Sequence, residues 1–147
     1  MSISSRQLSS QNAGAQPNLE ERIAFDLAAT PEAGSAARRA LLAGNGALPS
    51  SLRDDVLLLL TELVTNAVRH ADAGADRMVR VELRQCSGRV RVAVLDEGAG
   101  FAREATRSRR DEPGGWGLLL VDRIADRWAV VPTATGTCVW FEIRYGH

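Results

Sequence analysis

The sequence predicts an α+β fold, a two-layer sandwich in which a mixed, mostly antiparallel sheet is covered on one face by three helices. Two observations carry that expectation. The segments "MVRVELRQ" (78–85) and "RVRVAVLD" (89–96) alternate apolar and charged residues, so each turns one face to a core and one to water. The remaining patterns run in the order strand, two helices, hairpin, loop, helix, hairpin. Helices grouped against a one-sided sheet pack as two layers.

Taken in order, residues 1–18 are rich in Ser, Gln, Asn and Ala and hold little to bury, so the sequence predicts a disordered tail ahead of one domain over 19–147. "RIAFDLAA" (22–29) reads as the first strand. "TPE" (30–32) supplies an N-cap Thr30, a proline at the first helical position and an acid, and starts a helix running to about Ala43. "GNGALP" ends it. Ser51 and Asp54 form an S-x-x-D capping signal for a second helix that runs to about Ala71. After the hairpin, "GAGFAREATRSRRDEPG" (98–114) is polar, arginine-rich and bounded by glycines, the signature of a long mobile loop. "WGLLLVDRIAD" (116–126) gives the third helix. "RWAVVPT", a Thr135-Gly136 turn and "TCVWFEIRY" give the last hairpin.

Composition narrows the function. Across 147 residues, 18 basic and 18 acidic side chains cancel, leaving no overall field for direct nucleic-acid or membrane binding. Every cation is an arginine, and the absence of lysine excludes P-loop and Schiff-base chemistry. Cys86 and Cys138 lack metal-site or disulfide-framework spacing. No apolar run is long enough to span a membrane and the N-terminus lacks a signal-peptide core, so a cytoplasmic protein is expected.

The chemistry gathers at three places. On a helix at about 100° per residue, Leu57, Leu60, Val64, Ala67 and Val68 share one side, and Glu62, Asn66, Arg69 and His70 share the other. Read alone, that polar side is either a solvated face or half of a site. Period-two alternation puts Asp96 on the same face as Val90, Val92 and Val94, pointing towards the helices, where a carboxylate requires a donor. Asp96 then either caps the "EGAG" turn or accepts from a ligand. "GGWG" (114–117) opens the third helix with glycines, either as a tight helix entry or as an N-terminus suited to phosphate. The P-loop pattern is missing, and "GAGFAR" puts Arg103 where a dinucleotide fingerprint requires glycine.

In this order, "ELVTNAVRH" (62–70), "DEGAG" (96–100) and "GGWGLLLVDRIAD" (114–126) resemble the N, G1 and G2 boxes of the Bergerat-fold ATPases, the superfamily of gyrase and histidine-kinase catalytic domains. The chain is most similar to stand-alone anti-sigma-factor serine kinases and their actinobacterial relatives, over about residues 22–145. The resemblance implies ATP and Mg2+ as cofactors. It makes Glu62 the general base, Asn66 the Mg2+ ligand, and Asp96 the acceptor for the adenine amino group. Gly98 and Gly100 would line the base pocket, and Gly115 and Gly117 would let the lid close over the phosphates. Arg69 and Leu118 complete the implied nucleotide-binding set.

The lid arginines Arg103, Arg107, Arg109 and Arg110 contact phosphate or partner in that picture, or are solvated. Histidine kinases carry their phosphoacceptor on a separate dimerisation helix, which this sequence is not expected to contain, so His70 is read as structural or ligand-adjacent. One departure stands out. Relatives commonly have a "G-K-T-V-W" pattern where this chain reads "GTCVW" (136–140), so Cys138 would replace a hydroxyl able to reach the nucleotide, with Thr137 available to compensate. Trp140 and Phe141 are assigned to sheet packing. The implied function is a serine/threonine protein kinase that sequesters a sigma factor and phosphorylates a small antagonist protein. The alternative is an ATP-binding regulatory module without kinase activity. Homodimerisation is implied by the resemblance alone.

Overall fold

The computed structural model describes residues 3–4, 21–44, 48–70, 77–97 and 116–146. The elements among them are β1 (Ile3–Ser4), β2 (Glu21–Ala28), α1 (Ala33–Ala43), α2 (Ser50–His70), β3 (Met78–Cys86), β4 (Arg89–Asp96), α3 (Trp116–Ile124), β5 (Arg127–Pro132) and β6 (Thr137–Arg144). The strands form one sheet in the order β1-β2-β3-β4-β6-β5. The expected two-layer α+β sandwich is what forms, and every strand pairing among the described residues is antiparallel. Of the tail expected to be disordered, Ile3 and Ser4 pair with Phe25 and Ala24 of β2, and the rest lies outside the described residues.

Alternation sets the layers. Phe25 and Leu27 of β2, Val79, Val81 and Leu83 of β3, and Val90, Val92 and Val94 of β4 are all buried beneath the helices. Val139, Phe141 and Ile143 of β6 continue that face. Such a surface drives folding because each fully buried aliphatic or aromatic side chain contributes roughly 1.5–3 kcal/mol over leaving it in water. The even-numbered residues of β2, β3 and β6 and the odd-numbered ones of β4 and β5 form the opposite, outer face.

The helix layer is centred on α2, which packs against α1, α3 and the sheet. Gly34 of α1 fixes one contact: a Cβ there would lie 2.8 Å from Thr65 Oγ1 and 3.3 Å from Thr61 Cγ2, so the missing side chain lets the two helices approach closely. Thr61 satisfies its hydroxyl locally by donating to the Leu57 carbonyl at 2.7 Å.

Three local expectations are corrected. The N-cap of α1 is Glu32, without a side-chain cap bond, instead of Thr30. Residues 30–32 instead turn the chain, with the Ala33 amide bonded to the Thr30 carbonyl at 3.0 Å. The second helix starts at Ser50, where the Pro49 carbonyl accepts from Leu52 and Arg53, so Ser51 is an exposed residue of the first turn and not the cap. The third helix ends at Ile124, because Asp126 leaves it to serve β6: its amide donates to the Glu142 carbonyl at 2.9 Å and its Oδ2 accepts from the Arg144 amide at 2.7 Å.

Candidate functional site

The amphipathic reading of α2 holds for its greasy side and changes for its polar side. Leu57, Leu60, Val64 and Ala67 are buried as expected, but so are Leu52, Leu59 and Leu63 on the adjoining arc. Asn66 lies at the edge of that second arc and is only 3% exposed. The wet strip runs instead through Leu58, Thr65 and Arg69, with Glu62 half-buried at its border. The cause is tertiary. With α1 against Thr61 and Thr65, the flank carrying Glu62 and Asn66 turns to the other side of α2, the side of α3.

Asn66 is therefore a buried amide with a conspicuous deficit. Its Nδ2 is shielded from solvent and has no hydrogen-bond partner among the described residues. An orphaned donor of this kind costs about 1–3 kcal/mol, so a fold that keeps one calls for a completing partner, a water or a ligand. A phosphate oxygen has the required chemistry, and the amide's other atom, Oδ1, is a hard neutral oxygen of the type Mg2+ accepts. Among the described residues no cluster of acidic, histidine or cysteine side chains could hold a metal alone. One neutral oxygen would fit Mg2+ as a single ligand among several, since that ion keeps waters and takes phosphate oxygens.

Asp96 is the second buried polar group, 6% exposed at the end of β4, on the helix-facing side of the sheet as the alternation requires. The register sets Val79 on one side of it and Thr137, fully buried, on the other. Its backbone is held closely. Gly136 closes the β5–β6 turn, in which the Thr133 amide donates to the Gly136 carbonyl at 2.8 Å and Thr133 Oγ1 accepts from the Gly136 amide at 2.9 Å. A Cβ on Gly136 would collide with the Asp96 carbonyl oxygen and come within 2.7 Å of Glu97 Cα. From β3's side, Arg77 Nη1 donates to the Glu97 carbonyl at 2.9 Å. The turn and the arginine together fix where β4 ends and where its carboxylate lies.

The same register settles the position of Cys138. It pairs with Leu95 and lies on the outer face, while Thr137 lies on the inner face opposite Asp96. The expectation that Cys138 replaces a nucleotide-reaching hydroxyl is corrected: the hydroxyl beside Asp96 is that of Thr137. Sequence reading undervalued Thr137 because "TCVWF" is nearly unbroken apolar sequence, and its parity emerges only from pairing with β4. Burial, followed by the nearby Glu82 and Asp96 carboxylates, pushes the Cys138 thiol above its ordinary value. It stays protonated at neutral pH. A raised folded-state value means that any stabilisation it brings is complete below the unfolded value and is lost as pH rises through the folded one. In a Cys86→Ser protein, the pH profile of iodoacetamide alkylation should give an apparent value above that of an ordinary cysteine; brisk alkylation at pH 7 would contradict the assignment.

The remaining expected residues divide. Gly117 and Leu118 fall in the first turn of α3, which packs against α2, and Leu118 is half-buried against the core. Arg69 is exposed. His70 ends α2. Gly98, Gly100, Gly115 and the lid arginines Arg103, Arg107, Arg109 and Arg110 lie outside the described residues. Phe141 is core, whereas Trp140 lies on the outer face beneath Arg91, whose guanidinium sits 4.1 Å from the ring centroid.

Among the described residues the candidates are thus a buried carboxylate and hydroxyl on the helix-facing side of the sheet, a buried amide on α2, a half-buried carboxylate one turn before that amide, and a glycine in the first turn of α3, which packs against α2. A search of curated proteins finds no match. The family model of the histidine kinase-like ATPase domain matches residues 23–143, from the first long strand to the last, and the protein belongs to that family.

Proposed function

We propose that this ATP-binding domain is a Mg2+-dependent serine/threonine protein kinase that acts as an anti-sigma factor in partner switching, phosphorylating a small antagonist protein. The carrying observation is the orphaned, buried Nδ2 of Asn66, a donor awaiting an acceptor one helical turn beyond a half-buried carboxylate. Family membership supplies ATP as ligand. Asn66 would hold the phosphates and their Mg2+, and the bound ion would supply neutralisation of phosphate charge. Asp96, with Thr137 beside it, accepts from the adenine amino group. Glu62, reachable from outside, orients and deprotonates the attacking hydroxyl. Arg69 and the glycines of the two boxes close around the nucleotide.

The partners under this reading are a sigma factor and its antagonist, with a homodimer as the working assembly and the cytoplasm as the compartment. Among the described residues no helix is long and apolar enough to cross a membrane. The regulatory module without kinase activity remains the alternative reading; of its two supports, Cys138 and the expected lack of an acceptor domain, the first is weakened by the outer-face position of that residue.

Adenine readout has its own test. Asp96→Asn should weaken ATP by about tenfold or more, since a hydrogen bond to a charged group is worth about 1.5–3 kcal/mol. GTP, which presents a carbonyl where adenine has its amino group, should be affected less. Equal weakening of both in calorimetric titrations would count against the assignment. For the kinase itself, the protein is incubated with labelled ATP, Mg2+ and candidate antagonist proteins encoded in the same genome. Phosphoserine on one of them is the expected result, and tight ATP binding without transfer to any would replace the kinase by a nucleotide-sensing module.

A further inference from the structure

The neutral net charge of the chain conceals a strong separation on the sheet. On the outward positions of β2 to β6 the register gathers seven arginines against three carboxylates. One row crosses five strands as Arg22, Arg84, Arg91, Glu142 and Arg127, and the next adds Arg89 paired with Arg144. Like charges placed directly opposite destabilise a sheet, yet Arg84 faces arginine on both sides. Glu142, 3% exposed, is the row's carboxylate; it accepts from Arg91 at 3.0 Å, and Arg89 lies 3.9 Å away. Arg84, Arg89, Arg127 and Arg144 are exposed. Local self-repulsion that folding does not require marks a surface kept for binding.

Beside the arginine rows the same face is apolar. Leu95, Cys138 and Val131 form one row, Ala93, Trp140 and Ala129 the next, and Val131 is 42% exposed. At the β2–β3 end, Arg80 is neutralised by Asp26 at 3.3 Å and Glu82 at 3.0 Å, and the Glu82 bond in particular raises the Arg80 guanidinium above its ordinary value. The exposed cations Arg84, Arg89, Arg127 and Arg144 therefore lie to one side of an apolar strip. With strands about 4.8 Å apart and outward residues about 6.8 Å apart, the face measures roughly 20 by 27 Å, a flat area that side-chain relief brings towards the ~800 Å² each partner contributes to a stable interface.

We propose that this outer sheet face is a docking surface for an acidic protein, one whose contact patch sets carboxylates beside an apolar centre. Trp and Arg are the residues enriched in such interfaces, and Arg91 is already ordered between Trp140 and Glu142. A nucleic acid fits less well. The Trp140 ring is covered by Arg91 and offers no free face for base stacking, and the apolar rows have nothing for a sugar-phosphate backbone. A second copy of this chain fits less well too, because turning the face on itself sets arginine rows against each other or against carboxylates that Arg80 already satisfies. The surface is opposite the helix-covered nucleotide site, so a partner can be held there while that site turns over.

The test places p-benzoylphenylalanine at Val131 in the full chain, expressed in its native host, and irradiates the cells. Mass spectrometry then identifies the adduct, and the captured protein is purified and titrated against wild type and against Arg84→Glu/Arg127→Glu. The proposal expects an adduct to an acidic protein whose affinity falls about tenfold between 50 and 200 mM salt, as rim electrostatics do. It also expects the double variant to bind that protein at least about tenfold more weakly, with unchanged ATP affinity and an intact cooperative unfolding transition. Adducts only to this same chain, only to nucleic acid, or to nothing would overturn it, as would equal binding by the double variant. Loss of ATP binding in wild type would sink the kinase reading and leave this one standing.

Discussion

Gly136→Ala is expected to destabilise the protein by about 3 kcal/mol or more, the upper end of what overpacking a filled site costs, and to weaken ATP with it. The position does not rely on an unusual backbone angle; it is a matter of space. The added methyl would overlap the Asp96 carbonyl oxygen and crowd Glu97 Cα, both backbone atoms of a paired strand end that cannot rotate aside. Relief requires the β5–β6 turn to move off β4. That movement breaks the register in which Asp96 lies opposite Thr137. Stability and nucleotide affinity should therefore fall together, which separates this substitution from Asp96→Asn, where affinity falls and the backbone stays. Urea denaturation with parallel ATP titration checks both, and an unchanged midpoint would mean that the turn does not pack as described.

The comparison of Gly136 with Asp96 also shows which features the sequence could disclose. Asp96 was legible because β4 alternates cleanly, and a period of two assigns every side chain to a face from local sequence alone. Gly136 reads as an ordinary turn glycine, since the atoms it must avoid belong to a strand forty residues earlier in the chain, a separation read directly from the numbering. The burial of Asn66 is not legible in the helical period, which leaves its side of α2 either solvated or half of a site, because periodicity cannot tell that α1 closes on Thr61 and Thr65 through Gly34 and turns the other flank inward. Cap signals at Thr30 and Ser51 misled by one to two residues for a related reason: a turn and a proline carbonyl took over the bonding those side chains are suited to. The arginine rows of the outer face are invisible in a neutral sequence, since they arise from residues of five strands brought side by side only by pairing.

Glu62→Ala is expected to reduce phosphoryl transfer by about 10²–10⁴, the usual contribution of a positioned general base, while ATP affinity changes by no more than about threefold. The asymmetry follows from where the residue lies. Glu62 is half-buried at the border of the wet strip, one helical turn before Asn66 and on the same flank, so its carboxylate is open to an incoming hydroxyl. Asn66 and Asp96 are buried and, under the proposed function, are the groups that grip the nucleotide, so removing the Glu62 carboxylate should leave ATP binding nearly intact. Glu62→Gln, which keeps the shape and loses the basicity, should be nearly as inactive. A side chain that merely packs would be rescued by that variant. Single-turnover transfer to the antagonist measured beside equilibrium ATP binding distinguishes the cases: unchanged transfer removes Glu62 from the chemistry, and a collapse of ATP binding would make it a nucleotide ligand instead of a base.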